Sequence, residues 1–294
     1  MSKPFVEQRP WGGYLALLLA YASGLGAAVL AVQRAPTDWS APLVMLAAEG
    51  AATVVLFAFA VFFDNTAFFN PHWSLAPIAI AGYLVAGPGA ARGFDGRQLL
   101  VLGLVTFYGV RLTVNWLRGW AGLSHEDWQY TDFRQKTGRA FWPVSFLAFH
   151  LFPMVLVWAG CLPLYAALVE GAAPLGPLDA LAAGVTAGAV MVEWVADEQL
   201  RRHRRAGPGF CTLGLWRWSR HPNYFGEVSF WFGLWLCGLA AGAPWWSAFG
   251  WLGMAGLFLG ASIPMAEKRS LERRPGYAAY AAKTSRFVPW PPRG

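Results

Sequence analysis

Long apolar stretches alternate with short polar segments along almost the whole chain of 294 residues. Runs of about twenty apolar residues have the length that an α-helix needs to cross a bilayer. Because the ends of such runs are defined only to within several residues, we expect a bundle of about 7–8 transmembrane helices, within a range of about 6–10. The predicted spans are 11–33, 41–63, 73–91, 98–117, 141–169, 175–196, 225–241 and 245–265.

The rest of the chain offers no place for a second kind of domain. No segment is polar enough to form a soluble domain, and no repeat of about 20–50 residues is visible. The first apolar run follows Lys3, Glu7 and Arg9 without a small-residue cleavage site, so we expect it to remain as a membrane helix. We therefore predict an all-α integral membrane protein in which residues 1–294 form a single polytopic membrane domain.

Hydrophobic residues make up 56% of the chain, and charge is distributed unevenly over what remains. With the N-terminus inside, nearly all of the 23 Lys and Arg residues fall on the inner side of the eight predicted spans. This asymmetry follows the positive-inside rule, so we expect both termini to be cytoplasmic. The location that we expect is a bacterial inner membrane. The net charge of +7 then reflects topology. Membrane lipid is an expected partner, and nucleic acid is not.

Cysteine and histidine spacing argues against metal chemistry. Cys161, Cys211 and Cys237 lack paired spacing, and the five His residues form no HxxxH or HExxH motif. We therefore predict neither a disulfide framework nor a metal site.

Polar residues concentrate in the stretch "GLWRWSRHPNYFGE" (214–227), which leads from a basic loop into the seventh predicted span. Pro222 suits the first turn of a helix. The N-terminus of that helix, with Arg220 beside it, is a natural place for a phosphate group. Asn223 and Glu227 are four residues apart and share one helix face.

The upstream stretch "VEWVADEQLRRHRR" (192–205) carries Glu193, Asp197, Arg201 and Arg204 in a helical stripe. One interpretation is a ladder of salt bridges, each contributing a few tenths of a kcal/mol. The other is functional, because Glu193 lies at the end of an apolar helix, where an ionisable group is costly.

Further polar residues fall at the same predicted end of the bundle. The segment "DNTAFFNPHWSLAP" (64–77) and the residues around Arg111 both interrupt the apolar pattern. Arg111 either snorkels to the interface or forms a buried pair. Glu49 is isolated within the second span, and Tyr108 by itself is typical of an interfacial anchor.

Four of these segments together carry a family resemblance. They are "TLGLWRWSRHPNYFGEVSFWFG", "EWVADEQLRRHRR", "NPHWSLAP" and the closing "EKRSLERRPGYAAYAAKTSRFVPW". The chain resembles the DUF1295 family of membrane reductase-like proteins, which is related to the steroid 5-alpha-reductases. The resemblance covers about residues 60–292 and is most specific in the last hundred residues.

The resemblance implies a membrane enzyme that binds NADPH at its cytoplasmic end and reduces a carbon–carbon double bond in a lipophilic, steroid- or enone-like substrate. At one matching position, Glu193 replaces an Asn of the steroid enzymes. For a proton donor near the substrate oxygen we suggest Tyr108, Arg111 and His72. The expected cofactor-binding residues are Glu193, Asp197, Arg204, Arg205, Arg220, His221, Asn223, Tyr224 and Glu227.

Two alternatives remain at this point. Membrane methyltransferases that resemble isoprenylcysteine carboxyl methyltransferase share an "RHPxYxG" turn, with which they bind S-adenosylmethionine. The stripe from Glu193 to Asp197 and the "LGLWRWS" lead favour the reductase. A non-catalytic scaffold or transporter is the third possibility, which the concentration of polar residues at one end disfavours.

Overall fold

The computed structural model describes residues 10–124, 126–171 and 173–292. The described residues are almost entirely helical and contain one isolated β-bridge, between Ser219 and Ser285. Short 3-10 and π-helical turns join or interrupt the α-helices. These are α1 (Pro10–Arg34), α2 (Ala41–Phe62), α3 (His72–Ala86), α4 (Gly96–Gly119), α5 (Trp128–Thr137), α6 (Phe141–Ser145), α7 (Phe152–Cys161), α8 (Pro163–Tyr165), α9 (Pro177–Ala206), α10 (Pro222–Ala240), α11 (Phe249–Leu257), α12 (Ile263–Arg273) and α13 (Tyr277–Lys283).

The prediction of an all-helical membrane protein is confirmed, and each of the eight predicted spans overlaps a helix. Within the described residues, 6 helical stretches are long and apolar enough to cross a membrane. This number lies at the lower end of the expected range because two of the predicted spans are not among the six. α3, with 15 residues, is too short for the roughly 30 Å hydrocarbon core, and the 19 residues of α10 include polar side chains in its first turns. The six are Trp11–Arg34, Ala41–Phe62, Gly96–Gly119, Trp128–Glu170, Pro177–Ala206 and Trp245–Arg273.

Two of the spanning stretches change their winding along their length. π-helical turns occupy Phe146–Leu151 and Ala166–Glu170 in the fourth stretch and Phe258–Ser262 in the sixth. A π-helical turn rotates the side chains that follow it relative to the preceding face, and such turns are frequent at functional sites.

The chain divides into two compact units. The first unit comprises Met1–Pro88 and Gly109–Ala159, and the second comprises Gly89–Tyr108 and Gly160–Gly294. The expectation of a single membrane domain stays a prediction.

The first unit has an aromatic core beside a polar segment. Ala20 of α1, Leu56 of α2, Phe68 and Trp120 belong to one buried cluster. At Gly109, the nearest heavy atom to an added Cβ is the carbonyl oxygen of Ser74, at 2.3 Å, so α3 and α4 can approach this closely only with glycine there.

Hydrogen bonds fasten the segment that follows α2 to the segment that precedes α5. Asn65 Nδ2 donates to the carbonyl of Leu123 at 2.9 Å, and Asn70 Nδ2 donates to Asp127 Oδ2 at 2.8 Å. Tyr130 Oη in turn donates to Asn70 Oδ1 at 2.6 Å. The polar residues of 64–77 that the sequence singles out therefore include several that hold the first unit together.

In the second unit, a buried ion pair joins the first turn of α4 to that of α9. Arg97 Nε and Nη2 donate to the two carboxylate oxygens of Asp179, at 2.8 and 2.9 Å, and both residues are buried. Arg97 Nη1 also donates to the carbonyls of Gly171 and Ala173. Asp179 Oδ2 accepts from the backbone N–H of Gly176, so one carboxylate orders both helices and the loop before α9.

We predict that Asp179→Asn lowers the free energy of unfolding by about 3 kcal/mol, because it leaves the buried Arg97 guanidinium without its anionic partner. Thermal unfolding of the detergent-purified protein measures the effect. The matched control is Asp132→Asn, which removes an exposed pair with Lys136 and should cost less than about 1 kcal/mol. Equal effects of the two substitutions would contradict the role of Asp179.

Candidate functional site

The site begins with the close packing of α9 and α10, two helices of the second unit. A Cβ added at Gly226 of α10 would lie 2.8 Å from the carbonyl oxygen of Ala189 and 2.8 Å from Cβ of Glu193. Two turns further along α10, a Cβ on Gly233 would lie 2.2 Å from Thr186 Oγ1. Glycine at these positions lets the two backbones approach and brings the polar end of α9 beside the first turns of α10.

Two buried carboxylates lie where these helices meet. Glu193 and Glu227 are each 4% exposed. Glu227 Oε1 accepts from Tyr108 Oη at 2.7 Å and from Trp231 Nε1 at 2.9 Å. The Tyr108 ring stacks on Phe230 with their centroids 3.6 Å apart, so its hydroxyl is directed by packing as well as by the hydrogen bond.

A second polar contact links the same helices one turn closer to the start of α10. Asn223 Nδ2 donates to Asp197 Oδ1 at 3.3 Å, and both residues are partly exposed. Asp197 lies one turn after Glu193 on α9, as Asn223 lies one turn before Glu227 on α10. The structure therefore brings together four of the predicted cofactor-binding residues and, at Glu227, the predicted proton donor Tyr108.

The basic residues at the end of α9 divide into two groups. Arg201 and Arg202 both pair with Glu198, at 2.7 and 3.2 Å, and Glu198 lies outside the predicted stripe. Arg204 and Arg205 are exposed in the last turn of α9. The latter two side chains are positioned to meet an anionic ligand from solution.

Arg220 has a structural task that the sequence does not reveal. Its Nε donates to Glu267 Oε1 of α12 at 2.6 Å, and its Nη1 donates to the carbonyls of Ala281 and Thr284. Arg286 Nε lies 3.2 Å from the other oxygen of Glu267. The guanidinium predicted to hold a phosphate thus fastens the C-terminal helices to the turn before α10.

His221 and Tyr224 lie against the same C-terminal segment. Their rings stack with centroids 5.5 Å apart, and the Tyr224 ring continues to Phe258 at 5.0 Å. His221 Nε2 is 3.5 Å from Glu267 Oε1. Burial lowers the pKa of His221 to about 4, although Glu267 acts in the opposite direction, while Arg220 and Arg286 lower the pKa further.

The other two suggested proton donors, His72 and Arg111, belong to the first unit, and both are buried. His72 Nε2 lies 2.9 Å from Glu49 Oε2. Glu49, which the sequence presents as isolated, therefore has a buried imidazole as its neighbour.

Sequence reasoning missed Trp231 and Glu267. Trp231 follows Glu227 by four residues, and this spacing could have indicated the contact. Glu267 is 47 residues from Arg220, and no local pattern connects them.

We predict that Gly226→Ala destabilises the protein by about 1–3 kcal/mol, because the added methyl group forces α9 and α10 apart. Thermal unfolding provides the measurement. Gly188→Ala on α9 is the matched control, since its Cβ would meet no atom within 4 Å, and it should be neutral or stabilising. A Gly226→Ala variant as stable as Gly188→Ala would contradict the close approach.

We predict that stability falls between about pH 7 and about pH 5, in part because His221 stays neutral in the folded chain while it gains a proton in the unfolded chain. With a folded pKa of about 4, this residue contributes about 2 kcal/mol to the loss. Unfolding measured at both pH values should show a smaller loss in His221→Asn. An unchanged slope in His221→Asn would contradict the prediction.

Comparison with known proteins supports one family. A protein of the fission yeast Schizosaccharomyces pombe, described as uncharacterized, is 29% identical over 262 residues, which cover 80% of this chain and 76% of the yeast protein. No solved structure matches the chain. The profile described as "Protein of unknown function (DUF1295)" matches residues 56–284, which include α9, α10 and α13, so the chain belongs to the DUF1295 family.

Proposed function

We propose that this protein is an NADPH-dependent membrane reductase that transfers hydride to a carbon–carbon double bond of a lipophilic, enone-like substrate. The observation that carries the proposal is the hydrogen bond from Asn223 to Asp197 beside the buried carboxylates of Glu193 and Glu227, where α9 and α10 meet. Ionisable groups held in this way at the end of apolar helices are costly, and they are usually retained for function.

The acidic and amide side chains of this site suit the ribose and nicotinamide parts of a dinucleotide better than its phosphate groups. Carboxylates and an amide accept hydrogen bonds from ribose hydroxyls or a carboxamide, but carboxylates repel phosphate. We therefore assign the ribose and nicotinamide parts to Asn223 and Glu227. Phosphate groups are better served by Arg204 and Arg205, which are exposed about three turns further along α9 than Glu193. Arg220 fits a phosphate less well, because its guanidinium is already engaged by Glu267.

When bound, the nicotinamide supplies a hydride to the alkene β-carbon, and a proton must reach the enolate that forms. Tyr108 Oη donates to Glu227, so phenol and carboxylate together can hold a proton and orient it. The other two suggested donors, His72 and Arg111, belong to the first unit, so the proposal assigns this task to Tyr108. In this proposal Trp231 is a positioning residue, since its indole N–H fixes Glu227 Oε1.

The basic end of α9 would then face the cytoplasm. This assignment rests on the excess of Lys and Arg in the loops on that side of the predicted spans. A soluble cofactor reaches the site from the cytoplasm, while a lipid-soluble substrate enters from the bilayer.

We predict that the detergent-purified protein binds NADPH in a calorimetric titration and that Arg204→Ala weakens the affinity about tenfold or more, because a charge-assisted hydrogen bond is lost. Arg202→Ala is the matched control, since Arg202 pairs with Glu198 in the same helix end, and it should bind as the native chain does. A clear preference for NADPH over NADH would support recognition of the 2′-phosphate.

The same titration with S-adenosylmethionine distinguishes the methyltransferase. Binding of S-adenosylmethionine together with no response to NADPH would overturn the proposal. Equal responses of Arg204→Ala and Arg202→Ala would remove Arg204 from the phosphate site.

A further inference from the structure

The first unit contains buried polar groups that the proposed reductase does not use. Glu49, Thr53 and Phe57 follow one another at intervals of four residues along one face of α2. Glu49 Oε2 lies 2.9 Å from His72 Nε2. One turn beyond Thr53, the Phe57 ring meets the ring of His150 edge-on, with centroids 5.0 Å apart.

Phe69 closes the connection between the two imidazoles. Its ring stacks on His72 at 4.6 Å and contacts His150 at 4.8 Å. These ring and ion-pair contacts, together with the common face of α2, connect six side chains, which we name the first-unit ring. Its members are Glu49, Thr53, Phe57, His150, Phe69 and His72.

Apart from the Glu49–His72 ion pair, two polar atoms of the first-unit ring have unmet hydrogen-bonding capacity. Thr53 is 1% exposed and His150 is 0% exposed. Neither Thr53 Oγ1 nor His150 Nε2 has a hydrogen-bond partner among the described residues. A threonine hydroxyl in a helix commonly bonds to the carbonyl of the preceding turn, and Thr53 does not do so. A buried polar atom without a hydrogen bond lowers the stability of the fold, so we expect each of these atoms to have a hydrogen-bond partner.

The hydrogen bond at Nδ1 of His150 determines whether Nε2 needs a donor or an acceptor. Nδ1 lies 2.9 Å from the carbonyl oxygen of Ser145, which can only accept, so Nδ1 carries the hydrogen. In the neutral imidazole, Nε2 is then an acceptor, and only a donor can satisfy it. The Thr53 hydroxyl can donate to the same partner. A group that both donates and accepts, such as an alcohol, matches the two atoms, whereas a ketone or an ether cannot donate to Nε2.

We propose that the first-unit ring binds the hydroxyl group of a lipid-soluble alcohol, with His150 Nε2 accepting its hydrogen and Thr53 Oγ1 donating to its oxygen. Aromatic side chains around His150, including Phe57 and Phe69, provide apolar surface for the remainder of the molecule. His150 lies in the π-helical turn Phe146–Leu151, a feature that is frequent at functional sites. The residues belong to the first unit alone, so the site does not rest on the proposed reductase function.

Photolabelling of the protein in lipid nanodiscs tests the site. The probes are two diazirine-bearing alcohols, one with a long linear chain and one with a fused-ring skeleton, each paired with its methyl ether. We expect at least one alcohol to label peptides of α2 or of 141–151 about tenfold more than its ether, because the ether cannot supply the hydrogen bond to Nε2. Mass spectrometry locates and quantifies the label.

Two substitutions should reduce labelling by the alcohol to the level of the ether. Thr53→Val keeps the shape of the side chain and removes its hydroxyl, and His150→Phe keeps a ring and removes Nε2. The matched control is Thr186→Val in the second unit, because the buried Thr186 hydroxyl already donates to the carbonyl of Ala182 at 2.7 Å. This control should label as the native protein does.

Labelling that is equal for alcohol and ether with both skeletons would overturn the proposal and would leave water as the partner of these atoms. An unchanged yield in either Thr53→Val or His150→Phe would overturn it as well. The NADPH titration of Thr53→Val is read separately, so loss of the alcohol site and loss of the cofactor site are distinguishable.

Discussion

The close approach of α9 and α10 at Gly226 is the constraint on which the candidate site depends. A side chain at this position would collide with the backbone of α9, and the collision would separate Glu193 and Asp197 from Glu227 and Asn223. At the helix ends, the same contact leaves Asp197 and Asn223 partly exposed, while the deeper carboxylates are buried. A gradient from buried acid to exposed base therefore runs along α9, from Glu193 to Arg205. Such a gradient suits a ligand that has a polar, hydroxyl-rich middle and anionic groups nearer the water.

Three carboxylates of the second unit, Asp179, Glu267 and Glu227, show two different uses of their partners. Arg97 and Asp179 form two parallel hydrogen bonds and also hold backbone groups, which is the geometry of an ion pair that orders helix ends. Glu267 forms ion-pair contacts with Arg220, Arg286 and His221. These contacts attach the C-terminal helices to the turn before α10. Glu227 instead accepts from two neutral donors, Tyr108 and Trp231. Because these donors fix the orientation of its carboxylate, Glu227 is the acid that we propose for contact with a ligand.

The side chains of the "RHPNY" turn contact two different parts of the second unit. Arg220 and His221 face Glu267 and the C-terminal segment, whereas Asn223 faces Asp197 on α9. Pro222 begins α10 between them. The side chains diverge because successive positions at a helix start point in different directions, about 100° apart. A motif that reductase-like and methyltransferase-like membrane proteins share can therefore owe part of its form to this attachment of the C-terminus and part to the ligand.

The sequence by itself determined the helices and the helix faces. Apolar length indicates the spans because the bilayer fixes the length, and the spacing of Asn223 and Glu227 indicates a common face because helix geometry is local. Only the tertiary structure decided which faces meet. Tyr108 is 119 residues from Glu227, and Arg220 is 47 residues from Glu267, so neither contact follows from any local period. The same holds for Glu49, whose partner His72 lies on another helix. Packing selects such partners, because in an apolar interior each polar group has to find its complement wherever the chain brings one near.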